Sequence, residues 1–172
     1  GDCKVAYSKA NSDDSFAYAS SSSGQGQKDM ESGKNDFSFS DSPHLTSQSG
    51  KAIPSNEIHV PTFVWPIAIE YKDFLGGKPL ALSAATVAGI FAGKITKWND
   101  TAIKSLQDAS VKSKLPAKPI RVVYRATNSG TSENLTNYLR QTAPSVWTRP
   151  KNGTIAQGNP AGRMPAGSVG AA

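Results

Sequence analysis

Cysteine and histidine are nearly missing from this chain of 172 residues: one cysteine, Cys3, and two histidines, His44 and His59. A single cysteine excludes an internal disulfide and a cysteine-based zinc site. Two histidines make a multi-histidine metal site a poor expectation as well. They also lack a matching carboxylate or nucleophile motif, which reads them as structural or surface residues. Long apolar runs are missing too. The most apolar stretch, Phe63 to Ile69, is short and broken by Pro66, well below the length that crosses a bilayer as a helix. Basic clusters are missing: the 19 Lys and Arg against 13 acidic residues give a net charge of +6, but no run of five occurs. Nucleic-acid binding would gather these charges on one face among aromatics, so no nucleic-acid partner is expected. A mild positive field that attracts a small anion is the better use of the charge.

Glycine and serine are what the chain has in useful places. The segment SSSSGQGQK, Ser20 to Lys28, and the segment RATNSGT, Arg125 to Thr131, each leave a short predicted strand and enter a predicted helix. Small residues let backbone N–H groups converge, and a helix start adds unpaired donors and a partial positive charge. Two such loops facing each other make a cage for an oxyanion. Taken singly, either loop is equally well a flexible turn.

The rest of the pattern alternates strand and helix signals, which predicts an α/β fold with a parallel or mixed sheet. Phe16 and Tyr18 alternate with small residues. Ser22 followed by Gln25 fits a capping box, with Gly33 as the stop after a helix to about Ser32. Asp36 to Asp41, DFSFSD, alternates again, with Phe37 and Phe39 on one face and Asp41 at the carboxyl end, where ligands bind in open α/β sheets. Ile58 to Ile69 reads as a crossing strand or hinge. Ser83 starts a helix carrying Val87, Ile90 and Phe91, and Gly93 ends it. Asn99 or Asp100 caps a short helix with Ile103 and Leu106. Ile120 to Tyr124, IRVVY, is the strongest strand signal, and the helix after RATNSGT has Leu135, Tyr138 and Leu139 on one face. Trp65 and Trp147 read as packing residues at a hinge or interface. From Pro150 the chain is rich in Gly, Pro and Ala and reads as an extended tail. A composition shift near residues 61–70 suggests two lobes: residues 1–65 as part of a first, and residues 66–172 as a second that carries the tail.

The stretches AGIFAGKITKWNDTAI, Ala88 to Ile103, and LPAKPIRVVYRATNSGTSENLTNYL, Leu115 to Leu139, resemble the phosphate-binding protein family of bacterial high-affinity phosphate ABC transporters. SSSSGQG and DFSFSDSP resemble that family's upstream Ser/Gly loop and the strand ending in SDxP. The order and spacing of these motifs, from Phe16 to Trp147, carry the resemblance. It implies a two-lobed periplasmic-binding-protein architecture of type II. It further implies a binding protein and not an enzyme, without cofactor, catalytic residue or metal. Inorganic phosphate is the implied ligand and a membrane ABC permease the implied partner. The implied location is periplasmic or extracellular, at the cell surface. By position, the phosphate contacts would be Ser23 and Asp41 from one lobe and Arg125, Ser129, Gly130 and Thr131 from the other. Thr127 stands where the family usually has an Asp and is a further candidate. Nothing before Phe16 resembles the family's GAGxTFPxP-like loop, and family members run on past the end of this chain, which reads as a fragment of that architecture.

The residue chemistry suits this reading. A guanidinium at Arg125 offers paired planar donors that match phosphate oxygens. An ionised Asp41 only accepts hydrogen bonds, so it accepts one from a protonated phosphate oxygen and repels sulfate, which has no proton to offer. Two other readings stand beside it. One is a related domain without high-affinity phosphate binding, acting as a surface sensing or structural module. The other is a phosphoryl-handling enzyme using the same cage, against which stands the absence of a G-x-x-x-x-G-K-[ST] loop and of a G-x-S-x-G elbow.

Overall fold

The computed structural model describes residues 2–15, 17–45, 47, 49–125, 128–148 and 169–171. Among them are six helices and one parallel pair of short strands. Helix α1 spans Asp2–Ala10, α2 Ser23–Glu31, α3 Ala84–Phe91, α4 Thr101–Lys104, α5 Ala109–Lys112 and α6 Gly130–Thr142. Strand β1, Val123–Arg125, pairs with β2, Val169–Ala171, in the register Val123↔Val169. None of the described helices is long and apolar enough to cross a membrane.

The helix boundaries follow from short polar side chains. Ser22 sits in extended backbone and its Oγ accepts from the Gln25 N–H, satisfying one of the donors a helix start leaves open. The Gln25 side chain does not return the bond; it donates to Asp29 instead. At α3 the reciprocal box forms fully: Ser83 accepts from Thr86 N and Thr86 Oγ1 accepts from Ser83 N. Asp100 and Asp108 cap α4 and α5. Gly33 and Gly93, at φ of 67° and 74°, follow α2 and α3 in the left-handed conformation that ends a helix without a Cβ penalty.

The apolar core lies between residues 74 and 147, in two clusters that meet at α3. Val87 and Ala88 pack with Leu139, Ala143 and Trp147, while Ile90, two residues on, packs with Ile95, Ile103, Leu115, Ile120 and Val122. The expected i, i+3, i+4 pattern of α3 thus serves two neighbours. Gly89 makes room for the second: a Cβ there would stand 2.8 Å from Ile95 Cδ1.

Several sequence expectations are corrected here. The IRVVY segment alternates as expected, with Ile120 and Val122 buried and Arg121 and Val123 exposed, but the strand ladder begins only at Val123. Ile120 is held instead by one bond from its N–H to Thr96 O, 2.8 Å. Neither residues 17–20 nor 36–41 form a strand, and Phe16 lies outside the described residues. Alternation marks a pleated conformation, but a ladder needs a partner. Phe37 and Phe39 are exposed, edge to face at 6.2 Å. Tyr138 is 53% exposed although Leu139 is fully buried, and Leu106, past the end of α4, is 40% exposed. Trp147 is buried as expected. Trp65 is exposed, with its ring centroid 4.6 Å from that of Phe63. Ile58 to Ile69 makes no strand, and its large apolar side chains lie exposed, Val64 completely. The tail is extended where it is described, and there it supplies β2; residues 149–168 lie outside the described residues.

Two predictions follow from this packing. Leu139→Ala should cost about 2–5 kcal/mol of stability, the usual range for emptying a well-packed core site, whereas Tyr138→Ala should stay within about 0.5 kcal/mol. Urea unfolding of both variants checks this, and equal losses would contradict the core assignment. The second concerns Asp73, whose carboxylate accepts from Leu75 N at 2.7 Å and Gly77 N at 2.8 Å. These backbone donors, Leu75 first and Gly77 next, hold its pKa below the ordinary carboxylate value of 3.8. A lowered folded pKa means that the unfolded chain binds the proton more readily. The contribution is therefore present above the ordinary carboxylate range and lost as pH falls through the folded value. Asp73→Asn should flatten stability against pH in that acid window alone; an unchanged acid slope would contradict it.

Candidate functional site

Ser23, Asp41, Gly130 and Thr131 are brought into contact although ninety residues of sequence separate Asp41 from Thr131. Three hydrogen bonds join them around Asp41. Thr131 Oγ1 donates a short bond to the Asp41 carboxylate Oδ2. Asn134, one turn further along α6, donates through Nδ2 to the Asp41 backbone carbonyl at 2.6 Å. The Asp41 N–H donates to Ser23 Oγ at 3.4 Å. The first turns of α2 and α6 therefore meet at one residue.

The close approach depends on glycine. A Cβ on Gly130 would lie 2.8 Å from each of Asp41 Cβ, Ser23 Oγ and Ser42 N, and one on Gly24 would lie 2.5 Å from Asn128 Cβ. No alanine fits at either position without moving backbone. Ser129, the residue before α6, is buried, and its side chain makes no capping bond to the helix it precedes. The first amides of α6 thus keep the partial positive charge of an uncapped helix start.

Arg125, the last residue of β1, and Ser129 line the same cleft as Ser23, Asp41 and Thr131, a space of about 1380 Å³. Its other wall is apolar, with Tyr18, Phe37, Phe39, Phe63 and Trp65. The structure thus places five of the six expected ligand residues on one cleft and the sixth, Gly130, directly behind them. Thr127 lies outside the described residues. Asp41 does not end a strand; it ends an extended segment and is held from three sides by α2 and α6.

Sequence reasoning missed the polar face of α2. Ser23, Gln27 and Glu31, spaced four apart, bond in turn to the segment that carries Asp41. After the Ser23 contact, Gln27 Nε2 donates to Ser40 Oγ at 3.1 Å and to Ser42 O at 3.3 Å, and Glu31 Oε1 lies 2.8 Å from His44 Nε2. A polar row at i, i+4, i+8 was the available signal. It missed Asn134 as well, which shares the α6 face of Thr131. The histidines, read as structural or surface residues without a carboxylate motif, have carboxylate partners that the fold brings from a distance. His44 is buried between Glu31 and Glu57, and half-exposed His59 lies 3.0 Å from Glu57. Separation by 13 residues on either side hides this grouping from a local motif search. Among the described residues no group of three or more His, Cys, Asp or Glu is placed to hold a metal ion.

Sequence similarity to known proteins gives the class. The chain belongs to the PBP superfamily, whose domain matches residues 2–171. Its curated relatives carry the name phosphate-binding protein. It is 36% identical over 133 residues to PstS 3 of Mycobacterium leprae, covering 76% of this chain and 35% of that protein. To PstS 2 of Mycobacterium tuberculosis it is 34% identical over 146 residues, covering 82% and 38%. To PstS of Methanocaldococcus jannaschii it is 32% identical over 136 residues, covering 77% and 35%. The chain thus spans little more than a third of the length of these relatives.

Gly130→Ala is expected to push α6 off Asp41. It should cost about 1–3 kcal/mol, as overpacking does, and shift the backbone amide resonances of Ser23, Asp41 and Ser42. Amide spectra that match the parent would contradict the packing described here.

Proposed function

We propose that the chain is part of the substrate-binding component of a phosphate ABC transporter and captures inorganic phosphate in the cleft beside Asp41. In this reading residues 1–65 form part of a first lobe and residues 66–172 a second, in the manner of type II binding proteins. The chain is a piece of that architecture. The observation that carries it is the meeting of two helix starts on Asp41 with Arg125 on the same cleft. The names of the relatives support the choice of anion.

Each group then has one task. The Ser23 hydroxyl donates to the anion, the Thr131 hydroxyl does so on turning away from Asp41 Oδ2, and Ser129, Gly130 and Thr131 present the backbone donors of the α6 start. Arg125 supplies a charge-assisted fork. Asp41 accepts from a protonated phosphate oxygen and, lacking a proton to offer, disfavours a fully ionised anion. No nucleophile, base or metal is required, so the chain binds and does not catalyse. Its partner is the membrane permease, and its place is outside the cytoplasmic membrane, periplasmic or at the cell surface.

One observation favours a second reading, a sensing or structural module of the same fold. One oxygen of the Asp41 carboxylate already accepts from Thr131. A site that completes itself in this way has less need of an anion.

Calorimetric titration decides between them: phosphate binding supports the transport reading, and its absence in both this chain and the longer protein overturns it. A phosphomonoester control should be returned unhydrolysed. Where phosphate binds, Asp41→Asn keeps the shape, removes the charge and adds donors. The change should narrow the preference for phosphate over sulfate by about tenfold to a hundredfold, corresponding to roughly 1.5–3 kcal/mol for a hydrogen bond to a charged group. Paired titrations at fixed pH and ionic strength measure it. An unchanged ratio would mean that Asp41 does not set the selectivity.

A further inference from the structure

His44 lies outside the cleft, three residues after Asp41, yet it is among the most buried polar groups, with its side chain 3% exposed. Both ring nitrogens face carboxylates. Nε2 is 2.8 Å from Glu31 Oε1, whose side chain is completely buried, and Nδ1 is 3.0 Å and 3.1 Å from the two oxygens of Glu57. Glu31 is the last residue of α2, and Glu57 belongs to the turn before the exposed apolar stretch.

The partners of the two acids fix where protons can sit. Glu31 Oε2 accepts from Ser49 N at 2.8 Å, from Ser49 Oγ and from Ser47 Oγ. Glu57 Oε1 also faces His59 Nε2 at 3.0 Å. The Ser49 N–H can only donate, so Glu31 Oε2 accepts there, and the two serine hydroxyls beside it favour the ionised carboxylate. The Glu31–His44 bond has three forms: an ionised Glu31 accepting from an imidazolium, an ionised Glu31 accepting from the Nε2–H of a neutral ring whose Nδ1 accepts from a protonated Glu57, or a protonated Oε1 donating to a bare Nε2. Glu31 collects donors from Ser47 and Ser49 beyond that bond. Such a set stabilises the charged carboxylate, and a buried carboxylate in turn favours a paired cation.

We infer that His44 is a doubly protonated positioning residue, clamped between Glu31 and Glu57, which holds the Ser40–His44 segment on α2 and so fixes Asp41 against Ser23. The polar face of α2 shows how the clamp acts on the cleft. Glu31, Gln27 and Ser23 bind successive points of that segment in order, His44, then Ser42 and Ser40, then the Asp41 amide. The weakest of these contacts is the last, at 3.4 Å, and the bond at the His44 end is 2.8 Å with both partners buried. The segment is anchored at His44, and Asp41 inherits its place. Where binding is read, this inference rests on the phosphate reading of the cleft.

The test begins with the unaltered 172-residue chain, labelled with ¹⁵N. Long-range ¹H–¹⁵N spectra of the imidazoles at neutral pH should show both His44 nitrogens as protonated, with His59 as an internal comparison. A bare Nε2 or a bare Nδ1 would overturn the charge assignment. In His44→Gln, the backbone amides of Asp41 and Ser23 should shift, and phosphate affinity should fall about tenfold or more, the equivalent of one displaced contact. Unmoved amides at Asp41 and Ser23 would overturn the positioning role. Should His44→Gln not fold, Glu31→Gln, which keeps the size and removes the charge, is read by the same amides. If the unaltered chain binds no phosphate, the proposed ligand fails, while the imidazole and amide spectra still decide the role of His44.

Discussion

Asp41 is the residue on which the two ends of the cleft depend. Its backbone N–H goes to Ser23 at the start of α2, and its carboxylate and carbonyl receive Thr131 and Asn134 from the start of α6. Two helix starts come together because Asp41 donates to one through its N–H and accepts from the other through its carboxylate and carbonyl. Gly130 and Gly24 allow it by leaving the space that a Cβ would fill.

The two halves of the chain are held by different physics. Residues 74–147 bury two apolar clusters that share α3. None of the described residues among the first seventy belongs to either. Their order comes from polar contacts: Ser23, Gln27 and Glu31 along α2, Ser38 donating to Gly26 O at 3.0 Å, and His44 between two acids. Buried polar groups that are fully paired specify one geometry more than they add stability. A ligand cage needs that specificity, since its donors must stay aimed without the ligand. The apolar stretch from Ile58 to Ile69 stands apart from both, exposed along its length.

Much of this was legible in the residues. Caps and stops were legible at Ser22, Ser83, Gly33 and Gly93 and, as one of two candidates, at Asp100, while the Asp108 cap of α5 was missed. The Ser/Gly loops and Asp41 were identified as one group, and the structure brings them to one cleft. Strands were legible only as alternation. Phe37 and Phe39 alternate as a strand would, but pairing is a property of two segments, and one segment's pattern cannot supply the other. The same limit hid the histidine cluster and the Asn134 contact, which join positions 13 and 93 residues apart. Tyr138 and Leu139 differ in burial because only the face turned toward α3 and Trp147 is covered.

The account's central claim is that Asp41 and Thr131 act as one unit joining the two helix starts. A double-mutant cycle measures that directly. Asp41→Asn, Thr131→Val and the double variant are compared with the parent by urea unfolding. Residues in direct contact are expected to show a coupling energy of about 0.5–3 kcal/mol. A coupling in that range, with the double variant losing less than the sum of the two, is the result the account predicts. Losses that simply add would mean that the Asp41–Thr131 contact does not hold the cleft together.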